Sequence, residues 1–274
     1  MKKIALVLAA VAALAMTACG GKKAAQNESA EAPQSQESFQ EQQIKMGMKV
    51  HLDSLTNAWL RIEKPMAVTY NAQEGKVKLS DAQKKVLPDY LVNPDEVMGS
   101  LESLSLKYRA MVVFDMDKEV AKLYGMNDVY TPAINKLAAE VDDPAVKYLY
   151  NVDEKVTYQE RMNKVYSLEE ENGRANYFWE AAATSIIEQL YILGRNQEVF
   201  LASFTDQDAE DITFYVSLLV DAYADLAEYN SELARLYNVI LPLQVLNAIT
   251  VDELRTQLNQ IDADIANARK ALFM

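Results

Sequence analysis

Residues 212–240 read ITFYVSLLVDAYADLAEYNSELARLYNVI. The apolar members Ile212, Tyr215, Leu219, Ala222, Leu226, Tyr229, Leu233, Leu236 and Ile240 fall at alternating spacings of three and four. That is the period of one face of an α-helix, and a seven-residue repeat held this long keeps the face turned toward a partner helix. Val251, Leu254, Leu258, Ile261, Ile265, Ala268 and Leu272 repeat the pattern. The connection, 241–250, contains Pro242 and ends at a capping residue, Thr250. The expectation is two long heptad-patterned helices joined as an antiparallel hairpin. Spacing leaves open whether these seams pack on each other, on earlier helices or on a second copy of the chain.

Upstream, the same reading continues. Val97, Leu101, Leu104, Tyr108, Val112, Met116, Val120 and Leu123 form one stripe. Residues 168–204 are apolar on more sides, around Phe178, Trp179, Ala183, Ile186, Ile187, Leu190 and Leu193, as expected of a central helix. Helix starts are marked by Asn93-Pro94, Thr131-Pro132 and Asp143-Pro144. Ser80 with Gln83, Ser167 with Glu170, Thr205 with Asp208 and Thr250 with Glu253 fit the capping box, and Gly125 fits a helix stop. Met66 to Tyr70 alternates, 71–75 can turn, and Lys76 to Leu79 alternates again; a small β-hairpin over 66–79 or an ordered loop fits. Lys118 to Gly125 echoes Ser231 to Asn238, a hint of a duplicated unit in which each copy closes a long helix.

Composition agrees with helices. The 274 residues include 8 glycines and 7 prolines, too few for a turn-rich sheet protein, and the abundant Ala, Leu, Glu, Lys, Gln and Met are good helix formers. The fold class expected for residues 39–274 is all-α, an elongated bundle of about six to eight helices.

The first forty residues belong to something else. Met1-Lys2-Lys3 is basic and 4–16 is uncharged and almost wholly aliphatic, thirteen residues against the ~20 needed to span a bilayer. A basic start, a short apolar run and small residues after it mark a secretory signal. Met16-Thr17-Ala18-Cys19-Gly20 resembles the lipobox of bacterial lipoproteins: an aliphatic residue, two small ones, then cysteine, with Met16 where Leu is usual. The resemblance covers about twenty residues and implies cleavage between Ala18 and Cys19, diacylglycerol on the Cys19 thiol, and a further acyl chain such as palmitate on the new amine. Gly20 rather than Asp implies sorting to the outer membrane. Gly21, Lys22 and Lys23 stand where some members carry an acidic surface-export run, which favours the periplasmic face of the cell envelope. Cys19 is the only cysteine, so no disulfide competes for it. Stable anchoring takes more than one acyl chain. Residues 19–38 then form a polar tether, whose nineteen positions after Cys19 span on the order of 24 Å as a flexible coil.

Removing Lys2 and Lys3 with residues 1–18 leaves 25 basic against 40 acidic side chains, a net charge of −15. Such a balance excludes nucleic acid as an expected partner and disfavours direct binding to anionic lipid; the expected membrane contact is the lipid on Cys19. His51 is the only histidine. It lacks the further His or Cys ligands of a zinc site, the Glu-x-x-His of a di-iron bundle (position 48 is Met) and a nucleophile motif, and no phosphate loop occurs. No catalytic, metal or cofactor residues are therefore assigned. Glu180 and Glu188, either side of Thr184, share one helical face and could serve as an acid–base pair, although carboxylates so spaced usually form a solvated face. Tyr108, Tyr215 and Tyr229 are expected in the core; Arg174, Tyr177 and Trp179 are the nearest approach to a recognition cluster. The expected function is a tethered, non-catalytic binding or scaffolding module whose ligand or protein partner the sequence leaves unknown. The alternatives are a carboxylate enzyme with an inter-helix cleft and a coiled-coil protein that self-associates through the heptad helices.

Overall fold

A computed structural model of the chain describes residues 39–152 and 155–274; the expected signal at 1–18, the lipidation expected at Cys19 and the expected tether to Ser38 lie outside them. Among the described residues the protein is all-α, with fourteen α-helices and no strand. Ten of these have eight or more residues: α1 (Phe39–Met66), α5 (Leu104–Leu123), α6 (Tyr130–Val141), α7 (Pro144–Asn151), α8 (Tyr158–Glu171), α9 (Ala175–Arg195), α11 (Asp206–Leu226), α12 (Ser231–Ile240), α13 (Val251–Gln260) and α14 (Asp262–Ala271). Short helices α2 (Val68–Gln73), α3 (Asp81–Lys84), α4 (Pro94–Val97) and α10 (Gln197–Phe200) link them. The excess over six to eight helices comes from these links and from breaks within the two heptad segments.

Helix α9 is the axis, as its broad apolar surface suggested. It packs on α5, α8, α12, α13 and α14. Trp179, Ala183, Ile186, Ile187 and Leu190 on it are fully buried. Helix α11 lies against α1, α5 against α6, and α8 against α1 and α7.

Both seams are interrupted while their faces stay buried. Asn230 breaks the first: its side-chain oxygen accepts the backbone N–H groups of Glu232 (2.9 Å) and Leu233 (3.1 Å) and starts a new helix at Ser231. A local cap of this kind competes with helix continuation even where the apolar period does not miss a step. Tyr229, expected in the core, sits at this break and is 47% exposed, whereas Leu226 and Leu233 on either side are buried. Ile261 breaks the second seam, ending α13 and preceding α14, and its side chain remains in the core. A plain hairpin would lay α12 on α13; instead α11 meets α13, α12 meets α14, and α12, α13 and α14 also pack on α9.

Several local expectations change. The 66–79 segment is not a β-hairpin. Residues 68–73 are helical, and Asn71 donates through its side-chain amide to the carbonyls of Pro65 (2.7 Å) and Lys64 (3.2 Å) while its own carbonyl accepts from Lys76 and Val77. Carbonyls at the C-terminal end of α1 are thus satisfied in part by a side chain, which fastens the turn to the end of that helix. Asp128 rather than Thr131 caps α6, accepting from the N–H groups of Tyr130 and Thr131. The capping box of α8 is Thr157 with Glu160; Ser167 is inside the helix, donating to the Asn163 carbonyl. The boxes at Ser80 and Thr205, the caps at Asn93 and Asp143, and the left-handed Gly125 stop form as expected, and Thr250 caps α13. The internal echo does not mark equivalent positions: 118–123 closes α5, whereas Ser231 opens α12.

Candidate functional site

Helices α1, α5, α7, α8, α9 and α11 surround a cavity of about 570 Å³, within the ~300–1,000 Å³ typical of small-molecule sites. Tyr158 and Glu169, both on its wall, lie eleven residues apart on α8, so the cavity follows that helix for about 16 Å.

One end is aromatic. Trp59 of α1 stacks on Tyr158 (ring centroids 6.1 Å apart) and meets Tyr215 of α11 edge-on (5.4 Å). Such arrangements suit the ring quadrupoles and present faces as well as edges to a guest. Apolar wall comes from Leu52 and Leu55 of α1 and Met111, Val112 and Met116 of α5. Val112 and Met116 belong to the stripe read from the sequence but are less buried than Val113 and Phe114, because the cavity lies over them.

The other end carries the acid. Glu169, at the C-terminal end of α8, is 2% exposed, and its Oε2 has no hydrogen-bond partner. Burial pushes its carboxyl up to about 7 and the Asp143 carboxylate pushes in the same direction; the Tyr108 hydroxyl and the Arg174 guanidinium oppose them. Asp143 is held by the Ala145 N–H (2.6 Å) and by Arg174 (2.5 Å). The rings of Tyr108 and Tyr177 stack here with centroids 4.6 Å apart. The Trp179 Nε1, on a residue of this wall, is also buried without a partner. A buried polar atom left unsatisfied costs about 1–3 kcal/mol, and native interiors hold few. Glu169 and Trp179 bring two such atoms to residues of the cavity wall.

Of the residues singled out in the sequence, Tyr177 and Trp179 line this cavity, while Arg174 stands behind it on Asp143. Tyr108 and Tyr215 are both core residues and wall residues. Glu169, Trp59 and Tyr158 carried no distinguishing sequence signal.

Glu180 and Glu188 do not form a solvated face. Both are completely buried and neither lines the cavity. Glu188 takes a bidentate pair from Arg269 (2.8–3.1 Å), whose guanidinium also lies 4.2 Å from the Tyr191 ring centre and 3.6 Å from Asp117. Asp117 accepts the Val92 N–H (2.7 Å); burial and then the neighbouring Glu188 hold its carboxyl well above the usual carboxylate range. Glu180 accepts from Ser105 and Asn176, each at 3.0 Å, and faces Arg109 at 3.7 Å. Each carboxylate therefore has its own partners, and the two do not face a common space where an acid–base pair would act. His51 pairs with Asp225 (3.0 Å) beside a small surface recess between α1 and α11. Among the described residues no group of three or more His, Cys, Asp or Glu could hold a metal ion, and no helix is long and apolar enough to cross a membrane. Compared with family models, characterised proteins and solved structures, the chain matches none.

Proposed function

We propose that the protein is a lipid-anchored binding protein of the bacterial envelope, held to the outer membrane on its periplasmic side through Cys19, whose helical body takes an apolar small molecule into the cavity bounded by Trp59, Tyr158 and Glu169. One observation carries the ligand reading: an aromatic-walled space of about 570 Å³ between helices, with the buried carboxyl of Glu169 among its lining residues. The lipobox resemblance at 16–20 supports the anchor. Burial of both heptad seams within one body favours a single-copy binding module over self-association. The separation of Glu180 from Glu188 disfavours the carboxylate-enzyme alternative.

The chain contains two tryptophans, Trp59 and Trp179, and both are on the cavity wall. Intrinsic fluorescence therefore reports occupancy. Titration with an apolar molecule should shift or quench the emission to saturation, with a matching mass adduct under native conditions. Saturable adducts that leave the emission unchanged would place binding elsewhere. For the anchor, Cys19→Ser should move the protein from the membrane to the soluble fraction; retention on membranes after a salt wash would refute lipid attachment.

A further inference from the structure

The cavity is asymmetric in charge as well as in shape. Glu169 is on the wall, buried to 98% with a free oxygen, while the described wall has one basic side chain, Lys118. Lys118 is already matched: it bonds Asp115, also on the wall, and lies 4.0 Å from Glu119. An anionic guest would find no uncommitted positive charge and would face Glu169. The Tyr108 and Tyr177 rings stack on each other beside the carboxyl, and aromatic rings with a carboxylate are the elements that recognise an organic ammonium. Trp59, Tyr158 and Tyr215 leave an apolar bed about three helical turns away for the remainder of the molecule.

We propose that the cavity selects amphiphilic organic cations, with the ammonium against Glu169 and the Tyr108–Tyr177 pair and the apolar body extending toward Trp59. This rests on the binding reading above and names the chemistry of its ligand. A cation would supply the charge that burial withholds from Glu169, and so would bind with release of a proton where that carboxyl is protonated. The groups facing Glu169 are Tyr108 from α5, Asp143 from the start of α7, and Arg174 and Tyr177 from the start of α9; from α1, Lys45 approaches Glu170 instead, at 4.0 Å.

The test uses the full chain carrying Cys19→Ser, purified without detergent, and three probes with the same tail: dodecyltrimethylammonium, dodecanol and dodecanoate, each below its micelle concentration and followed by tryptophan emission. The expected order is ammonium first, dodecanol at least tenfold weaker and dodecanoate weakest. Glu169→Gln should weaken the ammonium at least tenfold and leave dodecanol unchanged. Should the variant fold poorly, the unsubstituted cavity still decides: ammonium affinity should rise as the pH is raised through about 7, with dodecanol flat. Dodecanol or dodecanoate binding as well as the ammonium would overturn the cation inference and leave the binding reading intact. No response to any probe would overturn both.

Discussion

Two buried carboxylate regions beside α9 are handled in different ways. At Glu188 and Asp117 the acids are matched by Arg269, by the Val92 N–H and by the Tyr191 ring over the guanidinium. At Glu169 the acid lies beside a stacked tyrosine pair and on the wall of a cavity. The first arrangement holds helices together: Glu188 and Arg269 are 81 residues apart and tie α9 to α14. Burying a charge is tolerable when the protein itself supplies the compensation; where it does not, a guest can.

The sharpest way to break this contrast is Arg269→Met. It strips compensation from Glu188 and Asp117 together and should cost about 3–5 kcal/mol in urea unfolding. A loss below about 1 kcal/mol would mean that the two regions are not different in kind. Next in size is a pair of neighbours on α9. Ala183 is fully buried in the core, and Ala183→Phe should destabilise by ~1–3 kcal/mol through overpacking. Ala182 lines the cavity, and Ala182→Phe should fit within about 1 kcal/mol of the parent while abolishing ligand binding. Equal destabilisation by both would show that the cavity closes in solution.

A smaller effect concerns pH. The Glu169 carboxyl is raised from 4.5 to about 7, so the folded state holds this proton more tightly than the unfolded chain. Its contribution to stability is complete below about pH 4.5 and is lost as the pH rises to about 7. Asp117 contributes with the same sign, so the measurement is the difference between the parent and Glu169→Gln in unfolding free energy across that window. The variant should show the shallower fall; parallel curves would contradict the assignment. Smallest of all is Asp143→Asn. It keeps a capping side chain for α7 but removes the charge beside Glu169, whose titration midpoint should move downward.

How much of this was legible beforehand divides along physical lines. Helicity and many helix ends were readable, because caps such as Asn93, Asp143 and Thr205 act within three residues of themselves. The break at Asn230 was readable in principle from the same capping chemistry, yet an unbroken apolar period outweighed it. The candidate site was hardly readable. Tyr177 and Trp179 stood out as aromatic, but Glu169 follows Leu168 in a run of acids, Glu169, Glu170 and Glu171, of which it alone is buried. Nothing local distinguishes the three; the rotation of α8 against α1, α7 and α9 does.

The amino-acid order alone carried the lipobox resemblance at 16–20 on which the anchoring proposal rests, the acidic balance, the all-α class and the apolar faces of the main helices, since each depends on composition or on neighbours within about one helical turn. Tertiary packing decided which carboxylates are enclosed, which of them meet a cation, and where a space remains between helices. Those properties depend on side chains brought together from distant positions, as Glu188 is to Arg269 and Tyr108 is to Tyr177. Burial is a property of the assembled surface, and no residue in a helical stripe carries a record of which neighbour will fill the space opposite it.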